Sequence, residues 1–294
     1  MTSVAGAGEA GLLKLITPYL TTQGIAIAAG EDDAAAWDDH GAYTVASTDM
    51  AVEKVHFDLS WMTPEDAGWR ALALALGDLA AKGATPVWAL TSVAVPRSWP
   101  QQDFVALFKG MAALAKKTNL MIVGGDMSAI EGPAVLSITV AGTARHRPLP
   151  RSEARPGWAV AVTGPLGTAA VALRTRHVLR PEPRLAEGKR LNELGLCCGD
   201  ISDGLIKEME KFAVMSGSGC LLRAPDVPVA AGATWQEALS SGEEVELVCT
   251  GPEAVIRKAG LKPIGVLTAE RQLTVTDREG LPLQLNLRGY DHFA

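Results

Sequence analysis

Leu120-Met121-Ile122-Val123-Gly124-Gly125-Asp126 is a short apolar run that closes on two glycines and an aspartate. Bounded by turn residues and too short for an ordinary helix, it reads as a buried strand over Leu120 to Val123. The glycines would let backbone N–H groups approach a phosphate while the carboxylate meets a metal ion; a plain tight turn is the other reading. Outward from it, Pro100 to Lys117 has helical spacing, and Val87 to Val95 and Ala134 to Ala141 read as strands. Thr63-Pro64-Glu65-Asp66 begins a further helix, with Thr63 able to cap it, Pro64 in the first turn and two acids at the positive end of its dipole. Leu72, Leu76, Leu79 and Lys82 keep helical spacing up to a stop at Gly83, and Asp78 falls on a different face from Leu76.

Upstream, Glu9 to Leu20 reads as a helix, and Gly24 to Ala29, Ala34 to Trp37 and Ala42 to Ser47 as strands that each end near an aspartate. Arg145 to Gly157 is rich in Arg and Pro without apolar periodicity, which marks a crossing between two halves. Beyond it come a strand at Ala159 to Thr163, the turn Gly164-Pro165-Leu166-Gly167, helices near Arg184 to Glu193 and Gly204 to Met215, strands near Cys220 and Val245 to Thr250, and a strand-rich tail. The fold class is mixed α/β, in two units divided at 1–146 and 147–294.

With 294 residues, 48% of them hydrophobic and a net charge of -6, the chain has the composition of a soluble globular protein. Its Lys and Arg are scattered, which excludes a nucleic-acid-binding stripe. Cys197, Cys198, Cys220 and Cys249 lack CxxC spacing and read as buried reduced thiols, which suits the cytoplasm. No signal peptide or membrane span is expected.

Asp32, Asp33, Asp49, Asp78, Asp126, Asp200 and Asp203 mostly lie beside apolar, Gly-flanked runs. Carboxylates at the ends of several buried elements need a cation. No Lys or Arg adjoins Asp32, Asp33, Asp49 or Asp126 in the sequence, so the expected cation is Mg²⁺ carried with a polyphosphate. Ser47-Thr48-Asp49 offers two hydroxyls and a carboxylate to such an ion, and Asp200-Ile201-Ser202-Asp203-Gly204 opens a helix with one more carboxylate than a cap requires. The chain has neither GxxxxGK[ST] nor GxGxxG, so a nucleotide would be held by other means. His56 admits a structural or a functional role. Glu243, Glu244 and Glu246 form a charged strand edge or a substrate contact, and Arg151 either binds phosphate or solvates its loop.

Taken together, Glu31-Asp32-Asp33-Ala34-Ala35, Ser47-Thr48-Asp49, Val55-His56-Phe57, Asp78 to Ala84, Gly124-Gly125-Asp126, Thr163 to Gly167, Asp200 to Leu205 and Gly289 to Phe293 resemble the thiamine-monophosphate kinase family, in the family's order. The resemblance implies a two-domain fold of the aminoimidazole-ribonucleotide-synthetase-like (PurM-like) kind, whose N-terminal domain contributes strands to a barrel across a homodimer. It implies transfer of the ATP γ-phosphoryl group to thiamine phosphate. It further implies that Asp33, Ser47, Thr48, Asp49, Asp78, Asp126, Asp200 and Asp203 hold several Mg²⁺ ions, that Gly125, Asp126, Arg151 and Ser202 contact ATP, and that His56, Glu243 and Leu287 contact thiamine phosphate, with no side-chain nucleophile. The chain departs from the family pattern at Met127, Ser128 and Ala129, at Val245 and at Leu287, mainly on the acceptor side. A different acceptor, or a catalytically silent nucleotide-binding homologue, are the alternatives.

Overall fold

The computed structural model describes residues 4–28, 30–284 and 292. The first half runs α1 (Val4–Ile16), β1 (Ala35–Asp39), β2 (Ala42–Val52), α2 (Pro64–Ala81), β3 (Thr85–Val95), α3 (Gln101–Thr118), β4 (Met121–Ala129) and β5 (Val135–Ala144). Its strands form one sheet in the order β1-β2-β5-β3-β4, antiparallel except for the β3–β4 pair. Residues 24–29, read as a strand, contribute only an isolated bridge from Ile27 to Ala36. Gly124 and Gly125 do not end their strand as expected but continue inside β4, which sits at the sheet edge.

α2 positions everything else. Thr63 caps it in a reciprocal box with Asp66, Pro64 occupies its first turn, and Gly83 follows its end at φ 64. Leu72, Leu76 and Leu79 are fully buried, and so are Ala73 and Ala75 between them. A helix apolar on nearly every face belongs inside a protein, and α2 lies between the first sheet, α3 and the second half. The α3 crossing is close because Gly68 and Gly110 present no side chain: a Cβ on either would stand 2.0 Å from the Leu107 oxygen or 1.9 Å from the Glu65 oxygen.

The second half comprises β6 (Ala159–Val162), α4 (Thr168–Thr175), α5 (Leu185–Glu193), β7 (Cys197–Asp200), α6 (Leu205–Ser216), β8 (Gly219–Arg223), α7 (Trp235–Ser240), β9 (Leu247–Gly251), α8 (Glu253–Lys258), β10 (Gly265–Thr268) and β11 (Leu273–Thr276). Its sheet has the order β11-β8-β10-β6-β9-β7. The architecture is thus mixed α/β with two sheets. All four cysteines are free and buried. Among the described residues no helix is long and apolar enough to cross a membrane.

One face of the first sheet is uncovered. Along β2, Val45, Ser47, Asp49 and Ala51 point towards the helices, whereas Thr48 and Met50 point away and are exposed. Leu90 on β3 and Met121 on β4 align with Thr48 and Ala46 across the sheet and are likewise exposed large apolar residues on this face.

Candidate metal and phosphate site

Asp33, in the loop before β1, Asp78, on α2, and Asp200, at the end of β7, bring three carboxylate oxygens within 4.8 Å of one another. Two glycines permit the approach. A Cβ at Gly77 would stand 3.1 Å from Asp200 Oδ2, so the bare backbone of α2 admits that carboxylate beside Asp78. A Cβ at Gly199 would stand 2.2 Å from Glu208 Oε1 and 2.7 Å from Arg151 Nη2, so the ion pair under the site also needs a glycine. Ser47 Oγ lies 2.5 Å from Asp78 Oδ2 and 3.0 Å from the Asp33 carbonyl oxygen, tying β2 to the cluster.

The charges are unevenly met. Lys82 Nζ, at the end of α2, lies 2.5 Å from Asp32 Oδ1 and donates to the Cys198 carbonyl at 2.6 Å. Arg151 pairs with Asp32, Asp33 and Glu208, and its backbone N–H donates to Asp32 Oδ2 at 2.8 Å. The expectation that no protein cation serves these aspartates is therefore corrected for Asp32 and Asp33. Their cations arrive from distant parts of the chain. Arg151 was expected at ATP, but its guanidinium is enclosed by three carboxylates and supports the cluster from beneath. Burial pushes the Asp33 carboxyl up, but Arg151, Lys82 and Lys211 outweigh burial and hold it below its ordinary value.

Among the described residues no such cation reaches Asp78 or Asp200 closely. Burial, then the charges of Asp200, Asp33 and Asp49, raise Asp78 well above the usual carboxylate range; burial, then Asp33 and Glu208, do the same to Asp200. Asp49 is pushed up to about 6 by burial and by Glu243 and Asp203. Asp33 Oδ2 is buried without a hydrogen-bond partner among the described residues. A carboxylate oxygen with no hydrogen bond, its ion pair to Lys82 Nζ stretched to 3.7 Å, beside two carboxyls that resist ionisation is a donor set suited to a hard divalent cation.

The other expected ligands are placed differently. Thr48 projects from the open face, where it accepts a hydrogen bond from Thr139 Oγ1 at 3.1 Å, so Ser47-Thr48-Asp49 does not converge as an array. Asp126 is in register with Ser92 and also lies on the open face. It is three strands from Asp49, about 14 Å across the sheet. Asp203 is held by Lys211 Nζ at 3.1 Å, and Ser202 meets the Glu243 backbone N–H through its carbonyl oxygen at 2.7 Å.

The family described as AIR synthase related protein, N-terminal domain, matches residues 30–144. Thiamine-monophosphate kinase of Salmonella typhimurium is 33% identical, over 84% of this chain and 86% of its own length. The Methanopyrus kandleri protein of the same name is 32% identical, over 95% of this chain and 93% of its own length. The chain belongs to the thiamine-monophosphate kinase family. A solved structure described as AaThiL complexed with AMPPCP and TMP superposes with a TM-score of 0.86 at 25% identity, covering 99% of each chain, so the fold is the PurM-like fold of that family.

The residues expected on the acceptor side of this thiamine-monophosphate kinase family member lie at one edge of the cluster. His56 Nδ1 accepts the Val52 N–H at 3.0 Å, and burial lowers the ring's pKa, so the neutral ring carries its proton on Nε2. The His292 ring lies 5.1 Å away. Glu243 pairs with Arg70 of α2, a residue the sequence reading passed over. Its neighbours have structural work. Glu244 accepts from the N–H groups of Gly167, Thr168 and Ala169 at 3.0, 3.1 and 3.2 Å and so caps α4. Glu246 accepts from Thr163 Oγ1 at 2.6 Å and Arg184 Nε at 2.9 Å. Leu287, with Gly289, Tyr290, Asp291 and Phe293, lies outside the described residues.

Proposed function

We propose that the chain transfers the γ-phosphoryl group of ATP directly to the phosphate of thiamine phosphate, giving thiamine diphosphate and ADP. The observation that carries this reading is the Asp33–Asp78–Asp200 cluster with its buried oxygen that takes no hydrogen bond, in a chain similar along its length to a protein solved with AMPPCP and TMP. Asp33, Asp78 and Asp200, with Ser47 and Asp49 beside them and Asp203 at the rim, would hold Mg²⁺. Bound there, the ions would neutralise the two phosphate chains and the charge that develops between them. The protein's own part is to position. The acceptor oxygen is already ionised near neutral pH, so no side chain need act as base or nucleophile. Arg151 and Lys82 hold the Asp33 carboxyl below its ordinary value and so keep it ready to bind as a carboxylate.

Homodimerisation through the open sheet face forms part of the same proposal. Met50 on β2, Leu90 on β3 and Met121 on the edge strand β4 expose apolar side chains on that face, which a second copy would cover. Thr48, Gly125 and Asp126 would then act at that junction, which accounts for their distance from the main cluster. Residues 1–146 and 147–294 are proposed as the two domains, and the cytoplasm as the compartment.

Product analysis tests the reaction. Purified protein with ATP, Mg²⁺ and thiamine phosphate should yield thiamine diphosphate and ADP in equal amounts, and none with EDTA. ATP hydrolysis without thiamine diphosphate would reject the acceptor.

A further inference from the structure

We propose that Arg70 is a specificity-determining residue that grips the phosphate of the acceptor, with Glu243 as its partner in the empty site. The inference rests on the reading of thiamine phosphate as acceptor and deepens it. Arg70 stands on the same rigid helix as Asp78, eight residues earlier, or about 12 Å along the axis. The helix therefore fixes the spacing between the metal cluster and this guanidinium.

Its hydrogen bonding is incomplete. Nε donates to the His56 carbonyl oxygen at 3.2 Å and Nη2 to Glu243 Oε2, while Nη1 has no partner among the described residues. Glu243 Oε1 is buried and likewise unpartnered among them. Glu243 Oε1 is thus an unmet buried acceptor, whereas Nη1 is not among the buried unpartnered atoms of the described residues although the Arg70 side chain is only 9% exposed. Removing the Glu243 oxygen from water without a partner is unfavourable, so the arrangement favours a ligand that supplies a donor to Glu243 and an anion to the uncommitted Nη1. Thiamine phosphate does, because it carries a phosphate anion and, on the rest of the molecule, a cationic thiazolium and an amino group. The planar guanidinium can take the phosphate through two parallel N–H groups, leaving Glu243 for the positive part.

The backbone aims Glu243 at this position. Glu243 and Val245 both adopt left-handed conformations, at φ 56 and φ 57, and Val245 is β-branched and buried. The segment is pinned by Glu243 N–H to the Ser202 carbonyl at 2.7 Å and by Glu244 N–H to the Ile201 carbonyl at 3.1 Å. Such conformations persist where surrounding structure over-determines them, characteristically at ligand sites. Glu243 is also close enough to raise the Asp49 carboxyl, which places the pair beside the metal cluster.

The test compares thiamine phosphate with thiamine, which lacks the phosphate. Calorimetric binding to the full chain, with Mg²⁺ and a nonhydrolysable ATP analogue, is measured for wild type, Arg70→Met and Arg70→Lys. Arg70→Met should weaken thiamine phosphate roughly tenfold to a hundredfold while changing thiamine and nucleotide binding less than about twofold, and Arg70→Lys should restore part of the loss. Equal losses for both ligands, or no loss for either, would overturn the role of Arg70 while leaving the wild-type reaction standing. If Arg70→Met does not fold, Arg70→Lys decides alone, since it too must selectively weaken the phosphorylated ligand. Wild-type protein that binds thiamine phosphate no better than thiamine would overturn the proposal and the acceptor reading together.

Discussion

Asp78→Asn should stabilise the metal-free protein and abolish turnover. The carboxylate oxygens of Asp33, Asp78 and Asp200 lie within 4.8 Å of one another. At that separation two unit charges repel by about 3.5 kcal/mol at an effective dielectric constant of about 20. Partial protonation already relieves some of this, because burial and neighbouring carboxylates raise Asp78 and Asp200 well above the usual range. The net gain is therefore about 1–3 kcal/mol, a few degrees in Tm for a chain of this size. Asn keeps an oxygen to accept the Ser47 hydroxyl, which lies 2.5 Å from Asp78 Oδ2, so packing changes little. The sign follows from the raised folded-state pKa. The wild-type site is most stable below the ordinary carboxylate pKa and loses that stability as pH rises through the folded value. The advantage of the variant should thus vanish below about pH 4 and grow as pH rises above it. Thermal denaturation followed by circular dichroism, in EDTA and then in Mg²⁺, measures it. A variant that melts below wild type in EDTA at about pH 8, or one that Mg²⁺ stabilises as strongly as wild type, would refute the electrostatic account.

Mg²⁺ affinity should fall as pH drops through about 6, where Asp49 takes up its proton; titration calorimetry across that range would show no such step if Asp49 stands apart from the metal. Gly77→Ala places a Cβ 3.1 Å from Asp200 Oδ2, so Mg²⁺ should bind about tenfold more weakly while stability stays within about 1 kcal/mol, alanine being the better helix former; unaltered affinity would mean that the close approach is unnecessary. Lys82→Met leaves the buried Asp32 with Arg151 alone, and urea denaturation should record a loss of about 3–5 kcal/mol, whereas a neutral result would show that Lys82 is dispensable. Met50→Glu puts a charge on the open sheet face, where Met50 is 55% exposed, and light scattering should report a monomer where wild type is a dimer; a dimer that survives the charge would place the interface elsewhere.

The long periodic elements were legible in the sequence. α2 and α3 carry apolar spacing sustained over 18 residues each, and α2 carries its Thr63 cap and Gly83 stop in plain view. The short ones were not. α4, α7 and α8 are eight, six and six residues long, and α4 takes its N-terminal partner from Glu244, which no local pattern reveals. β4 was read as ending at Val123 because paired glycines ordinarily mark a turn, yet it pairs with β3 through Ala129. At the site, the convergence of carboxylates was readable because each adjoined a glycine or the end of an apolar run. The cations were not readable: Arg151 reaches Asp32 across 119 residues, and Lys82 looked like one more position on an apolar helical stripe. Arg70 was hidden in the same way, since only the fold brings Glu243 to it.

The most direct test of the metal-cluster account is the anomalous scattering of Mn²⁺, a Mg²⁺ substitute with the same preference for oxygen ligands, in crystals grown with a nonhydrolysable ATP analogue and thiamine phosphate. The account predicts a peak coordinated by Asp33 Oδ2 together with Asp78 and Asp200, between the two phosphate chains. Both ligands bound with no metal on those three carboxylates would contradict it.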